Sequence, residues 1–177
     1  MIENFYDKLT YNGNITVTIV DGDRLISTKT YHNNAAQKLF QFFIASLRGE
    51  FTAAKNTRPC RLVLFRRGDE ETSASEINST YWNDTYRVST PVLYDTTIVK
   101  NNTNDCSVTY HFKIPYAQLT VGSKITKLGL YPNTISSFSN DLCAYRFLST
   151  EEAITIEGGS GNFTLIVDWE LVISNKN

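Results

Sequence analysis

Histidine is nearly absent from this chain, with two residues in 177, and cysteine stops at three. A zinc site takes three or four His, Cys or carboxylate ligands at short spacings. His32 and His111 stand far apart, neither has a ligand at i+2 or i+4, and Cys60, Cys106 and Cys143 contain no Cys-x-x-Cys pair. No metal centre is expected, and three scattered cysteines argue against a disulfide framework as well. The same scarcity bears on catalysis. A serine or cysteine nucleophile needs a base and an orienting acid, and no Gly-x-Ser-x-Gly elbow is present.

Charge of one sign is also lacking. Lys plus Arg total 17 against 18 Asp plus Glu, so the electrostatic footprint of a protein that lives on nucleic acid or anionic lipid is missing. No apolar run approaches the length of a membrane span, and the start, Met1 to Asp7, has no basic cluster followed by an apolar stretch. The expectation is a product made in the cytoplasm, with neither membrane nor nucleic acid as partner. Gly158-Gly159-Ser160-Gly161 is not followed by Lys-Ser/Thr and leads into an extended pattern, so it reads as a turn and not a phosphate cradle. No cofactor is expected.

What the chain does have is alternation. Hydrophobic residues make up 41% and charged residues 20%, enough apolar surface to fold, and the length suits one domain over residues 1–177. Ile15, Val17 and Ile19 alternate with threonines, Asp21-Gly22 interrupts, and Leu25 to Tyr31 resumes, which predicts a β-hairpin. Strands are also predicted over 61–66, 86–100 with a break at Pro91, 107–114, 124–131, 141–148 and 163–173. The last is the clearest, with Phe163, Leu165, Val167, Trp169, Leu171 and Ile173 on one face and Thr164, Asp168 and Glu170 on the other.

One stretch is helical in period. Ala36, Leu39, Phe40, Phe43, Ile44 and Leu47 fall at i, i+3, i+4, i+7 spacing, with Asn33 or Asn34 placed to cap the start and Gly49 to end it, predicting a helix over about 34–48. Burying each large side chain of that stripe is worth about 1.5–3 kcal/mol, so the helix must lie against a sheet. The predicted class is mainly β: an antiparallel β-sandwich-like domain with one amphipathic α-helix packed on it.

Candidate chemistry is thin. Asp168 and Glu170 share a strand face and resemble the two acids of a glycosidase, although solubility alone places acids on an outward face. Arg58, Arg61, Arg66 and Arg67 cluster, yet Asp69, Glu70 and Glu71 offset them at once. Aromatics are the residual feature at 12% of residues. Tyr81, Trp82 and Tyr86 lie in or beside a long polar loop over about 67–85, where a contact role is expected more than a core one. Arg67, Tyr81, Trp82 and Tyr86 are therefore the candidate protein-interface residues. A stacking platform for sugar rings is the alternative reading of the same aromatics.

The order of segments carries a resemblance. A hairpin ending in Tyr31-His32-Asn33-Asn34 leads into the helix. Later come Ile125-Thr126-Lys127-Leu128-Gly129-Leu130-Tyr131, then Cys143-Ala144-Tyr145-Arg146-Phe147-Leu148, then the closing strand Thr164 to Ile173. This succession resembles a diffuse group of small virion proteins of tailed bacteriophages, associated with necks, tails and baseplates. It departs from their pattern at Lys127, where those chains carry an acid, and in the insert from Arg67 to Thr85. The resemblance implies a non-enzymatic subunit of the virion, a homo-oligomer contacting portal, tail or baseplate proteins. The alternative it leaves open is a carbohydrate-binding module of a phage receptor-binding or host-adhesion apparatus.

Overall fold

A computed structural model describes residues 9–50, 52, 58–66, 82, 87–89, 93–100, 105–138, 140–157 and 162–175. The chain begins with β1 (Leu9–Asn12), β2 (Asn14–Asp21), β3 (Arg24–His32) and β4 (Asn34–Ala35), followed by helix α1 (Gln37–Leu47). Next come β5 (Pro59–Phe65), β6 (Arg87–Ser89), β7 (Leu93–Lys100) and β8 (Asp105–Pro115). The last strands are β9 (Lys124–Ile125), β10 (Lys127–Pro132), β11 (Ala144–Phe147), β12 (Ile154–Thr155) and β13 (Phe163–Asn175). One sheet has the order β3-β2-β13-β8-β7, with β1 also on β13; the second has the order β4-β11-β10-β5-β6; β12 and β9 form a third, small one. The fold is mainly β, and the pairs are antiparallel, as the alternating sequence predicts.

The first sheet is organised by β13, which pairs with β8 from Thr164↔Pro115 to Ser174↔Asp105. Period-two alternation sends Leu165, Val167, Trp169 and Leu171 inward, where they meet Ile15 and Val17 of β2 and Tyr110, Phe112 and Ile114 of β8. Leu62, Leu64, Leu128, Leu130 and Ala144 close the same core from the second sheet. Each is at most 5% exposed, so this layer carries most of the hydrophobic driving force.

The second sheet is buried on both faces, which explains why β10 reads as a continuous apolar run. Its outer face bears Val63, Phe65 and Tyr131, covered by Trp82, Leu142 and Phe138. Gly129 makes the cover possible, since a Cβ there would stand 3.0 Å from Trp82 Cζ3 and 2.9 Å from Leu142 Cδ1. Lys127, the departure from the phage pattern, is 1% exposed with its ammonium 5.8 Å from the centre of the Trp82 ring, a cation–π approach.

Helix α1 begins three residues later than the sequence suggests. Asn34 and Ala35 pair with Tyr145 and Ala144 as β4, and the N-cap is Ala36, with no side-chain cap. Asn33 is not a cap either. It is buried, accepts from the Tyr11 hydroxyl at 2.6 Å and donates to the Glu170 carbonyl at 3.0 Å, tying β1, the β3–β4 step and β13 together. Gly49, at φ +71°, does end the helix: its N–H reaches the Ser46 carbonyl and that of Glu50 the Ala45 carbonyl, a Schellman stop.

The buried face of α1 differs from the expected stripe. Leu39 is fully buried and Phe42 and Phe43 pack on the main core, whereas Phe40 and Ile44 face outward, 50% and 45% exposed. Apolar residues nearly encircle this helix, so the 3.6-residue period is compatible with more than one buried face.

Candidate functional site

Of the four residues expected at an interface, Trp82 is displaced from that role. It is 2% exposed and packs edge-on against Phe65 at 5.0 Å and Phe147 at 5.6 Å. A buried indole offers no surface to a protein partner or a sugar ring, so the contact reading of Trp82 is corrected to a core role. Its partners lie far from it in sequence, and only Gly129, inside an apolar run, hints at a close approach. Arg67, Tyr81 and Tyr86, with the rest of the 67–85 loop, lie outside the described residues.

The outward face of the first sheet brings together polar groups that sequence alone leaves apart. His111 is directly opposite Asp168 on β13, and its Nδ1 lies 2.8 Å from Asp168 Oδ1. Its Nε2 lies 2.8 Å from the Thr97 hydroxyl on β7. With Nδ1 donating to the carboxylate, the neutral ring presents a lone pair at Nε2 that accepts from Thr97. This is the hydroxyl–imidazole–carboxylate order used in acyl transfer. Acyl transfer also needs N–H donors aimed at a developing oxyanion, but around these residues the strands are held in the β7–β8 and β8–β13 ladders.

The depression beside them is lined by Asp95, His111, Phe112, Lys113, Ile166 and Asp168, and the His111 and Asp168 side chains are 31% and 37% exposed. It therefore gives little exclusion of water. Glu170, the second acid of the glycosidase reading, accepts from the Asn14 amide at 3.3 Å. Among the described residues, neither tyrosine nor tryptophan lines the depression. Among the described residues no three His, Cys, Asp or Glu side chains come together in a metal-ligating group. Cys143 is buried, and burial pushes its thiol well above the ordinary range, away from the reactive thiolate.

A third feature is apolar. A β-bulge opposite Ile19 and Val20 makes Ile26 the extra residue of β3. Beneath that strand the layers part, leaving a groove of about 300 Å³ whose walls include Val17, Ile19, Ile26, Tyr31, Ile154 and Phe163, with Lys29 and Glu157 at the rim. The Tyr31 hydroxyl donates to the Glu152 carbonyl at 3.3 Å, and the Arg146 guanidinium lies 5.7 Å from the Tyr31 ring centre. Ile26 on the groove wall and its neighbour Leu25 stand 45% and 61% exposed. Both strands that flank the groove, β3 and β12, are at sheet margins.

No family model, curated protein or solved structure matches this chain. The chemistry of the described surface must therefore be weighed by itself. Its polar cluster sits on an outward sheet face, and among the described residues the exposed large apolar side chains are Leu25 and Ile26 at or beside the groove, Phe40 and Ile44 on α1, and Val121. Sequence reasoning missed both apolar surfaces. The hairpin and the helix were each legible, but which of their apolar residues stay uncovered is decided by the bulge and by how α1 is seated.

Proposed function

We propose that this chain is a non-enzymatic structural subunit of a tailed-bacteriophage virion, in its neck, tail or baseplate, assembling as a homo-oligomer against neighbouring virion proteins. The carrying observation is the distribution of exposed apolar surface: Leu25 and Ile26 beside a groove at an open strand margin, and Phe40 and Ile44 on α1. Clustered apolar patches of this kind favour contact with protein. The order of segments, from the hairpin and helix through Ile125 to Tyr131 and on to β13, supports the phage context by its resemblance to small virion proteins.

Particles purified from a phage whose genome encodes this chain test the reading. Quantitative mass spectrometry is expected to find the chain in a fixed copy number per portal or tail-tube ring. A chain abundant in the infected cell but absent from washed particles would contradict it.

A further inference from the structure

In the Thr97–His111–Asp168 chain the order of contacts fixes where a proton can move. The Asp168 carboxylate only accepts, so its 2.8 Å contact places the imidazole proton on His111 Nδ1, and the 2.8 Å contact at Nε2 is made by the Thr97 O–H. Three strands hold this order. Asp95 and Asp168 stand opposite His111 on β7 and β13, and Thr97 lies two residues beyond Asp95, which returns it to the same face. Other threonines of that sheet supply the contrast. The Thr16 and Thr30 hydroxyls meet each other at 3.2 Å and those of Thr18 and Thr28 at 3.3 Å, hydroxyl against hydroxyl with no base between them. Thr97 is exposed, and the depression of about 350 Å³ beside its imidazole has room for a small molecule.

We propose that Thr97 is an acylation site, a hydroxyl with His111 as its base that takes a short acyl group from an uncharged activated ester and keeps it. Thr97 Oγ attacks the ester carbonyl carbon while its proton passes to His111 Nε2, and Asp168 stays ionised against the imidazolium. The tetrahedral adduct then expels the aryl oxide of the donor, which leaves with that proton. One Thr97 ester and one phenol result, with no change of oxidation state. Asp95 and Asp168 against Lys113 around the depression favour an uncharged donor over an anionic one, and Ile166 offers apolar contact to a short acyl chain. The strand N–H groups remain in the ladders, so little stabilises an oxyanion. An aryl ester tolerates that lack because its leaving group is already a stable anion, whereas hydrolysis of the Thr97 ester has to expel an alkoxide. The reaction stops at one acyl group per chain. It is a covalent modification and not a turnover, compatible with a structural subunit.

Incubation of the full chain with para-nitrophenyl acetate, followed by intact mass and peptide mapping, tests this. An acetyl ester on Thr97, and none on Thr16, Thr18, Thr28 or Thr30, is the expected result. His111→Gln is expected to slow its formation on the order of 100-fold or more, the usual contribution of a general base. Thr97→Val should abolish the ester and Thr97→Ser, a less hindered hydroxyl on the same base, should restore it; this pair carries the test if circular dichroism shows that His111→Gln unfolds. Asp168 positions the ring, and its readout is the ring itself. With two imidazoles in the chain, nitrogen NMR is expected to find the His111 proton on Nδ1 in the wild type and to move toward Nε2 in Asp168→Asn, which also acylates more slowly. Acetyl groups confined to amines, or a Thr97 ester formed as fast in folded His111→Gln as in the wild type, overturn the proposal. A wild-type ring protonated at Nε2 overturns it equally, because that nitrogen could not take the Thr97 proton. None of these outcomes touches the subunit reading, which particle composition decides.

Discussion

Gly129 lies beneath the ring of Trp82, so close that a methyl group at Gly129 would stand 3.0 Å from Trp82 Cζ3 and 2.5 Å from Tyr131 Cε2. The pair joins a residue of the 67–85 region to the centre of β10 and makes the outer face of the second sheet a core of its own.

Gly129→Ala is therefore expected to destabilise the protein by about 1–3 kcal/mol through overpacking. Trp82→Ala is expected to cost about 3–5 kcal/mol, the range for a large buried aromatic. Urea unfolding measures both. A Trp82→Ala protein with unchanged stability but lost assembly would restore the surface role that burial denies this residue.

Asn33 donates and accepts at once, so its replacements are distinguishable. Asn33→Ala is expected to cost about 1–3 kcal/mol for the polar groups it leaves unmatched. Asn33→Asp keeps the acceptor for Tyr11 but sets a carboxylate against the Glu170 carbonyl. Its deficit relative to wild type should be largest at neutral pH and shrink as acid protonates it, read by thermal melts across pH.

Acid should loosen the attachment of α1. Burial acts to raise the pKa of Asp141, but the Ser137 and Ser136 N–H groups and Lys38 outweigh it and hold the carboxyl below its ordinary 3.8. A depressed pKa means that the unfolded chain binds the proton first. The stabilisation is then full above the ordinary value and lost as pH falls through the lower, folded one. Asp141→Asn is expected to be less stable than wild type at pH 6, with the gap closing below about pH 4 in acid-unfolding curves.

Thiol labelling reads the core directly. Cys106 is exposed and Cys143 is buried with its thiol pushed up, so a maleimide should modify Cys106 in the native protein and Cys143 only on unfolding. Rapid native labelling of Cys143 would contradict the packing between the sheets.

His111→Ala should change stability by no more than about 1 kcal/mol, as expected for a partly exposed hydrogen-bonded pair on a sheet surface. The same substitution should leave assembly unaltered, because His111 lies on neither apolar surface. Sedimentation velocity and urea melts on one preparation decide both points.

The elements that sequence made legible are those whose signal is local. Strand β13 announces itself through Phe163 to Leu171 because one face is buried along its length, and the turn at Gly22 and the stop at Gly49 each coincide with positive φ. Less legible was anything set by distant partners. Asn33 has the chemistry of a cap, yet Tyr11 and Glu170 engage it in the core. Trp82 stands among polar neighbours but faces a gap that only Gly129 provides. The His111–Asp168–Thr97 chain depends on the registers of three strands, which alternation alone cannot supply.

The mass of the wild-type protein in solution, followed by native mass spectrometry as concentration rises, tests most directly whether this chain works by assembling. A discrete homo-oligomer whose population grows with concentration and falls in an F40S/I44S variant is the expected result. A monomer up to the limit of solubility would contradict the account.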